Sequence, residues 1–214
     1  MRRLPHGYTN QTTADQATVV KRYQGPDAAA RLARERELLA DLAGVLPVPP
    51  LLGAGDESLI LGFVAGEPGQ ELMDAGDPEA VLRACGEVLR RIHARPSVLG
   101  AGTLVHGDFG PNNLLLDPET YAVAAVVDWE FAHLGDPIED LAWCEWIVRM
   151  HHPDRVGALG AFFEGYGAFV PRWPERRAAM VDRCLGLREF CRRWDPDGPA
   201  VAEWQRRAEV TAGW

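Results

Sequence analysis

The segment "VHGDFGPNN", from Val105 to Asn113, is the densest polar cluster of the sequence, and apolar runs flank it on both sides. Two glycines and a proline within nine residues predict a tight loop between a helix and a strand. Loops that core segments hold on both sides commonly carry functional side chains. We therefore expect His106, Asp108, Asn112 and Asn113 to lie at a functional site.

A β-hairpin is predicted directly after this loop. Two short apolar runs cover residues 113–117 and 122–128, and the residues "PETY" join them. Because a hairpin turns the chain back on itself, Asp128 at its far end returns near Asn113. Amide and carboxylate oxygens that converge on one point suit Mg²⁺, and Asp108 remains free to accept a proton from a nucleophile.

The first third of the chain predicts short strands and one helix. Residues 10–13 and 18–23 are typical of a hairpin, and "SLILGFV" at 58–64 of a further strand. The following "AGEPG" interrupts regular structure, and past Asp136 the chain is predominantly helical. The sequence thus predicts a compact α+β fold, with a β-rich lobe over 1–65 and a larger helical lobe over 66–214.

One helix is predicted in the first lobe, over "PDAAARLARERELLADLAG" at 26–44. Asp27 is the expected N-cap and Gly44 the expected end of this helix. Glu35 falls on the apolar face of the helix, whereas Glu37 does not. The apolar face consists of Leu32, Leu38, Leu39 and Leu42.

These features resemble the catalytic core of the kinase-like small-molecule kinases, the aminoglycoside phosphotransferase and choline kinase group. The family's catalytic loop reads H-x-D-x-x-x-x-N, and its metal-binding acid opens a segment often followed by G-D-P. The matching positions are His106, Asp108 and Asn113, then Asp128-Trp129-Glu130 and Gly135-Asp136-Pro137. The resemblance covers essentially the whole chain and is strongest from about residue 80 to residue 145.

The resemblance implies a bilobal protein-kinase-like fold and transfer of phosphate from ATP (or GTP) to a hydroxyl group of a small molecule. Asp108 would orient and deprotonate that hydroxyl, and Asn113 and Asp128 would hold Mg²⁺. Lys21, the only lysine of the chain, matches the strand lysine that contacts the nucleotide phosphates and pairs with a helix glutamate. Glu35 is the expected partner, because a buried carboxylate needs a cation.

Further residues are assigned to the site with less local support. The stretch Gly7-Tyr8-Thr9-Asn10 resembles the short G-x-x-N loop of antibiotic kinases. His106 and Asp136 are expected to brace the catalytic loop, with Asp136 as a buried helix cap. The expected nucleotide contacts beyond Lys21 and Glu35 are Gly7, Thr9, Asn10, Phe63 and Val64. The candidate substrate contacts are Glu130, Glu139, Glu145 and Trp146.

The charge and composition of the chain limit the kinds of partner that it is expected to bind. A formal net charge of −9 argues against binding nucleic acid or an anionic membrane surface. It suits a cationic hydroxylated substrate, such as an aminoglycoside or another antibiotic. Because the N-terminal residues show no signal-peptide pattern and the four cysteines show no C-x-x-C spacing, we expect a cytoplasmic protein with reduced thiols. We expect a monomer or a weak dimer.

Two other functions remain open at the level of sequence. The short segment before the first strands, which lacks the protein-kinase glycine pattern G-x-G-x-x-G, favours a nucleotide-binding pseudokinase that acts by association. A metal-dependent phosphohydrolase would instead use His106, Asp108 and Asp128 together with the pair His151-His152. The complete set of Lys21, Asp108, Asn113 and Asp128 favours the kinase.

Overall fold

A five-stranded antiparallel sheet forms the first part of the protein in the computed structural model, which describes residues 2–3 and 10–214. The strand order is β1-β2-β3-β5-β4. In chain order the strands are β1 (Arg2–Arg3), β2 (Asn10–Ala14), β3 (Thr18–Tyr23), β4 (Leu51–Ala54) and β5 (Ser58–Gly62). The predicted hairpin of β2 and β3 is confirmed. Strand β5 ends two residues earlier than predicted, and β4 was not predicted.

Lys21 lies on the central strand of this sheet. It is paired in register with Thr12 of β2 on one side and with Leu59 of β5 on the other. Successive side chains of a strand point to opposite faces, so Lys21 and Tyr23 are buried on one face while Arg22 is exposed on the other. The lysine therefore points into the protein.

Helix α1 (Ala28–Leu42) covers the buried face of the sheet. Its buried residues recur every three or four positions, as expected for one face of a helix. They are Arg31, Leu32, Glu35, Leu38, Leu39 and Leu42. The predicted phase is confirmed, because Glu35 is 1 % exposed and Glu37 is exposed.

The ends of α1 follow the prediction only in part. Gly44, with a φ of 74°, follows the last helical turn, in agreement with a glycine stop. Asp27 makes no capping hydrogen bond and has a left-handed backbone with φ 54°, whereas an N-cap normally needs an extended backbone. Its carboxylate instead lies 2.6 Å from Arg193. Asp27 thus occupies the predicted N-cap position, but its side chain does not cap the helix.

The second part of the protein is mainly helical. Its helices are α2 (Gly69–Ala75), α3 (Pro78–His93), α4 (Ile138–His151), α5 (Leu159–Tyr166), α6 (Trp173–Trp194) and α7 (Pro199–Ala212). Helix α3 packs against α5, and α6 packs against both α4 and α7. This arrangement agrees with the predicted α+β class. No helix in the described ranges 2–3 and 10–214 is long and apolar enough to cross a membrane.

Short strands position the polar loop between the helices. The predicted hairpin consists of β8 (Leu114–Leu116) and β9 (Val123–Val126), and β6 (Glu67–Pro68) pairs with β8. A further pair, β7 (Thr103–Val105) and β10 (His133–Gly135), was not predicted.

One apolar core runs from the sheet into the helices, joining for example Leu39 of α1 and Leu59 of β5 to Leu89 of α3. A second cluster, which includes Trp143, Trp146 and Cys184, lies between α4, α6 and α7. The division of the chain near residue 65 remains a prediction.

Candidate active site

Asp108 lies in the loop that follows β7, and both of its carboxylate oxygens are hydrogen-bonded. The indole Nε1 of Trp143 donates to Oδ1 at 2.8 Å. The amide Nδ2 of Asn113 donates to Oδ2 at 3.0 Å and to the backbone carbonyl of Asp108 at 2.7 Å. Two neutral donors thus fix the orientation of the carboxylate without neutralising its charge.

The surroundings of Asp108 make its carboxylate more basic. Burial and the nearby charge of Asp128 raise the pKa of Asp108 to about 6, although Arg183, Trp143 and Asn113 act in the opposite direction. A base is most effective when its pKa lies near the working pH. Asp108 can therefore accept a proton from a hydroxyl more readily than a solvated aspartate can.

His106 contacts the loop with both ring nitrogens. Nε2 lies 3.0 Å from the carbonyl oxygen of Val127, and Nδ1 lies 3.3 Å from the backbone nitrogen of Asp108. A carbonyl only accepts, so Nε2 carries the proton and Nδ1 accepts from the amide of Asp108. Burial lowers the pKa of His106, which favours this neutral form. The ring of His106 thereby links the backbone of Val127, next to Asp128, to the backbone of Asp108.

Asp140, which the sequence analysis missed, holds the other side of the loop. This fully buried carboxylate accepts from the backbone amides of His106 at 2.7 Å and Gly107 at 2.8 Å. It also lies 3.1 Å from Nε2 of His93 at the end of α3. An acidic residue on the apolar face of α4 was the available signal, by the same reasoning that selected Glu35.

Asp136 was expected to be a buried cap, and the structure places it at the surface. Its Oδ1 accepts from the backbone amide of Ile138 at 2.9 Å, so it contacts the first turn of α4 from outside. It makes no contact with the catalytic loop comparable to those of Asp140. The predicted burial of Asp136 is therefore wrong, because the buried acidic residue is Asp140, one helical turn later.

Lys21, Glu35 and Asp128 form a buried ion cluster. The ammonium Nζ of Lys21 lies 2.5 Å from Oε2 of Glu35 and 2.5 Å from Oδ1 of Asp128. Glu35 also accepts from the hydroxyl of Tyr23 at 2.5 Å and from the backbone amide of Trp129 at 3.3 Å. The predicted pairing of Lys21 with Glu35 is present, and Asp128 is a second partner.

The cluster stabilises the charged form of the lysine. Burial by itself would lower the pKa of Lys21, but the surrounding carboxylates, Asp128 first, raise it well above its ordinary value. Burial would likewise raise the pKa of Asp128, yet the ammonium holds that pKa below its ordinary value. Lys21 and Asp128 are thus both charged near neutral pH.

A second buried ion pair lies beside the first. Nη1 of Arg31 is 2.6 Å from Oε2 of Glu130, and Nδ2 of Asn10 donates to the same oxygen at 2.8 Å. Arg31 also donates to the carbonyl oxygens of Pro26 and Gln24. These contacts engage Asn10 and Glu130 inside the protein, contrary to the expected nucleotide and substrate contacts.

Arg31 was not selected from the sequence, although a signal existed. It lies four residues before Glu35 and therefore on the same face of α1. The helical phase that predicted a buried glutamate predicts a buried arginine equally well.

Asn113 and Asp128 each offer an oxygen that could serve as a ligand for a divalent cation. The backbone amide of Val127 donates to the carbonyl of Asn113 at 2.9 Å, so the hairpin brings Asp128 next to the start of β8. The Asp128 side chain is 31 % exposed, and Nδ2 of Asn113 points at Asp108, which leaves amide Oδ1 as a ligand. An amide oxygen and a carboxylate oxygen fit Mg²⁺, which normally takes few protein ligands.

A group of three closely spaced carboxylates could also be taken for a cation site. Glu35, Asp128 and Glu130 each offer an oxygen within 4.8 Å of the others. Lys21 and Arg31 already lie among these three carboxylates. The group is therefore an ion-pair network between the sheet, α1 and the segment after β9, in which the protein itself supplies the cations.

Two of the candidate substrate contacts are wrong. Glu145 is fully buried and lies 2.7 Å from Arg149 and 2.6 Å from Arg176. Trp146 is 1 % exposed, and its indole donates to the hydroxyl of Thr211 at 2.8 Å. Both residues face the interior of the helical part, because α4 is buried on nearly all sides.

The other candidate contacts lie at or near the surface. Glu139 is exposed, where it pairs with His133 at 2.9 Å and accepts from the amide of Asp136 at 3.0 Å. Phe63 is 49 % exposed and Val64 is half-buried just beyond β5, and their nucleotide contacts remain predictions. The candidates Gly7 and Thr9 lie outside the described residues.

The residues required by a phosphohydrolase do not come together. The ring of His151 packs against Trp146 with a centroid distance of 5.5 Å. His152 lies 2.7 Å from Asp74 of α2. Neither histidine contacts Asp108 or Asp128, so the structure gives no support to a metal centre built from the histidine pair.

Comparison with known proteins establishes the family and the fold of the chain. The model of the phosphotransferase enzyme family, APH, matches residues 1–100 and 94–179. The chain therefore belongs to this phosphotransferase family, and the expected small-molecule kinase family is confirmed.

The ternary complex of a thermostable mutant of aminoglycoside phosphotransferase APH(4)-Ia with AMP-PNP and hygromycin B superposes with a TM-score of 0.70. That likeness covers 99 % of this chain and 92 % of that chain at 19 % identity, and it confirms the kinase-like fold.

Similarity to curated proteins is confined to parts of them. Acyl-CoA dehydrogenase family member 10 of Mus musculus is 56 % identical over 41 residues, which are 19 % of this chain and 4 % of that protein. Hygromycin-B 4-O-kinase of Escherichia coli is 31 % identical over 116 residues, which are 52 % of this chain and 31 % of that protein. The matches thus span well under two thirds of the length of these relatives.

Proposed function

We propose that the protein is an ATP- and Mg²⁺-dependent kinase that phosphorylates a hydroxyl group of a small molecule, with GTP as the alternative donor. The proposal rests chiefly on one observation. The oriented carboxylate of Asp108 comes just before the hairpin β8–β9, and Asp128, which pairs with Lys21, comes just after it. A proton acceptor and a lysine suited to bind phosphate are thereby combined at the open end of one hairpin.

The residues would divide the work as follows. Asp108 would accept the proton of the acceptor hydroxyl while that oxygen forms its bond to the γ-phosphorus of the nucleotide. The bond from this phosphorus to the bridging oxygen of ADP breaks in the same step, and the electron pair leaves with ADP. Lys21, kept charged by Asp128 and Glu35, would bind phosphate oxygens. Asn113 and Asp128 would hold Mg²⁺, which neutralises charge on the phosphates when bound.

Positioning and charge would supply most of the acceleration. The protein contributes fixed donors and carboxylates rather than a covalent intermediate. The hydrogen bonds from Trp143 and Asn113 support this role, because they hold both oxygens of Asp108 in place before an acceptor binds. The neutral His106 and the buried Asp140 support the same loop from its two sides.

A screen of acceptors tests the proposal. ADP formation would be measured with ATP and Mg²⁺ over hygromycin B and other aminoglycosides, nucleosides, sugars, choline-like amines and hydroxy acids. We expect at least one acceptor to raise ADP formation above the rate without acceptor, and mass spectrometry to show one added phosphate. ADP formation that no acceptor in the panel stimulates would contradict a small-molecule kinase.

Variants of Asp108 separate a kinase from a pseudokinase. We expect Asp108→Asn to abolish transfer while ATP binding stays within a few-fold of wild type, because Asp108 would meet the acceptor and not the nucleotide. The matched control is Asp154→Asn, an exposed aspartate in the turn after α4. Near-normal kcat in Asp108→Asn would rule out the role of catalytic base.

A further inference from the structure

Arg183 of α6 lies close enough to Asp108 for its positive charge to lower the pKa of that carboxyl. Its guanidinium carbon lies 5.4 Å from the ring centroid of Phe131 and 5.5 Å from that of Trp143. Phe131 ends the short turn that follows Asp128, and the indole of Trp143 holds Oδ1 of Asp108. The guanidinium therefore packs against Phe131, three residues after the proposed metal ligand Asp128, and against Trp143 of α4, which donates to the proposed base.

Two donors of this guanidinium are buried without a protein acceptor. Nε and Nη2 of Arg183 are shielded from solvent, and no hydrogen-bond partner for them exists within the described part of the chain. Buried N–H groups are almost always satisfied, since an unpaired one costs free energy. An arginine that leaves two donors unpaired beside a reactive carboxylate is suited to bind a ligand.

The other arginines of α6 do not share this property. Each of them has an acceptor that belongs to the protein. The pairs are Arg176 with Glu145, Arg177 with the carbonyl of Trp214, Arg188 with Gln205, Arg192 with Glu189 and Arg193 with Asp27. Arg183 thus differs from five neighbours on the same helix, so its unpaired donors are not a general feature of α6.

The acidic groups that face Arg183 accept hydrogen bonds from donors other than this arginine. Burial lowers the pKa of Arg183, and the carboxylates of Asp108, Asp140 and Glu139 act in the opposite direction. Both oxygens of Asp108 accept from Trp143 and Asn113. The oxygens of Asp140 accept from the backbone of the catalytic loop, and those of Glu139 accept from the amide of Asp136 and contact His133. These carboxylates attract the guanidinium to this side of the site, while its Nε and Nη2 have no acceptor within the described residues.

We propose that Arg183 determines acceptor specificity by binding an anionic oxygen group, a carboxylate or a phosphate ester, that lies close to the hydroxyl to be phosphorylated. This inference rests on the proposed kinase function and names the class of its acceptor. A planar guanidinium pairs well with carboxylate and phosphate oxygens. An ammonium group at the same place would meet a fixed positive charge. The geometry therefore favours a hydroxy acid or a phosphorylated polyol over an acceptor with an amine beside the reacting hydroxyl.

Four acceptors on one three-carbon frame test the proposal. Glycerate and glycerol 3-phosphate carry the two anionic groups, glycerol carries none, and 3-amino-1,2-propanediol carries an amine. The measurement is kcat/KM for each acceptor at saturating ATP and Mg²⁺, in wild type, Arg183→Gln, Arg183→Lys and Arg188→Gln. Any acceptor found in the broader screen would be added together with its uncharged analogue.

The ratio of kcat/KM between an anionic acceptor and its uncharged analogue isolates the role of Arg183. We expect this ratio to fall at least about tenfold in Arg183→Gln, mainly through KM, because a site that binds a charged group discriminates strongly against its loss. Arg183→Lys should restore part of the ratio, and Arg188→Gln should leave it unchanged. A purely structural effect, or an effect on Asp108, would lower the values for both acceptors equally. An unchanged ratio in Arg183→Gln would overturn the proposal while the kinase function stands.

Equilibrium binding tests Arg183 even if no acceptor is phosphorylated. Acetate and inorganic phosphate would be titrated against chloride at constant ionic strength, with Mg²⁺ and AMP-PNP present, and the midpoint of thermal unfolding recorded. We expect both anions to raise the midpoint in wild type and Arg188→Gln, and the rise to be lost in Arg183→Gln. Equal rises in all three proteins, or no rise in wild type, would contradict an anion site at Arg183. Absence of any phosphorylation would count against the proposed function alone.

Discussion

The ammonium of Lys21 lies 2.5 Å from Oε2 of Glu35 and equally close to Oδ1 of Asp128. One side chain thereby connects the central strand of the sheet, helix α1 and the segment after the hairpin β8–β9. Lys21 is also the only lysine of the chain. A compact ammonium on a flexible stem can lie between two carboxylates that leave little room for a planar guanidinium.

The first prediction concerns this lysine. Lys21→Arg keeps the charge but changes the shape of the group in a confined site, so we expect kcat/KM for ATP to fall by about one to three orders of magnitude, roughly 1.4–4 kcal/mol. Glu35→Gln should give a smaller loss, and Glu37→Gln, on the exposed face of α1, almost none. Steady-state kinetics of the three variants is the measurement. Wild-type activity in Lys21→Arg, or a larger defect at Glu37 than at Glu35, would contradict the assignment.

The second prediction concerns Asp128. Removing its carboxylate in Asp128→Ala takes away both the proposed metal ligand and a partner of Lys21, so we expect the affinity for Mg·ATP to fall at least about tenfold. Isothermal titration calorimetry with and without Mg²⁺ would measure this. Asp154→Ala, at an exposed position, is the control. If Asp128→Ala binds Mg·ATP as tightly as wild type, the metal is held elsewhere.

The third prediction concerns the hydrogen bond between Trp143 and Asp108. In the proposed role of base, Asp108 must be a carboxylate, and its pKa is raised to about 6, so we expect the wild-type rate to fall as the pH drops through this value. Trp143→Phe removes a donor that lowers the pKa of Asp108, so the midpoint of the fall should move upward by about 0.5–1 pH unit. The pH dependence of kcat/KM for the acceptor measures it.

Trp204→Phe is the matched control for this change. Trp204 belongs to the same aromatic cluster, with its ring centroid 6.1 Å from that of Trp143. We expect Trp204→Phe to affect stability without moving the pH midpoint. The same upward shift in both variants would mean that packing, and not the hydrogen bond to Asp108, sets the midpoint.

The fourth prediction concerns stability at acid pH. Burial lowers the pKa of His106 in the folded protein, so the unfolded chain takes up the proton first as the pH falls. The stabilising contribution is therefore complete above the unfolded pKa of about 6.5 and is lost below it, by at most about 1.4 kcal/mol per pH unit for one group. His106→Gln keeps a donor to the carbonyl of Val127 and cannot titrate.

Urea unfolding at pH 8 and at pH 5.5 checks the prediction for His106. We expect the free energy of unfolding to drop more between the two pH values in wild type than in His106→Gln. Burial also lowers the pKa of His151, and this contribution is common to both proteins. Equal drops would show that His106 does not contribute to the acid sensitivity.

Local patterns in the sequence determined much of the site. The spacing from His106 to Asn113, the hairpin that returns Asp128, and the helical phase that buries Glu35 each depend on residues within one element or two adjacent elements. The periodicities of strands and helices decide such relationships, and the structure confirms the hairpin and the helical phase. The sequence alone also placed the lone lysine on a strand of the first lobe.

Only the tertiary structure decided which polar residues are left for a ligand. Glu130 is bound by Arg31 and Asn10, which lie 99 and 120 residues away in the chain. Glu145 is bound by Arg176 from another helix. Asp140, and not Asp136, holds the loop that carries Asp108, while Nε and Nη2 of Arg183 have no acceptor among the residues that the structure describes. A charged side chain has the same local pattern whether its partner is the protein or a substrate, because the partner comes from a distant element that only folding brings near.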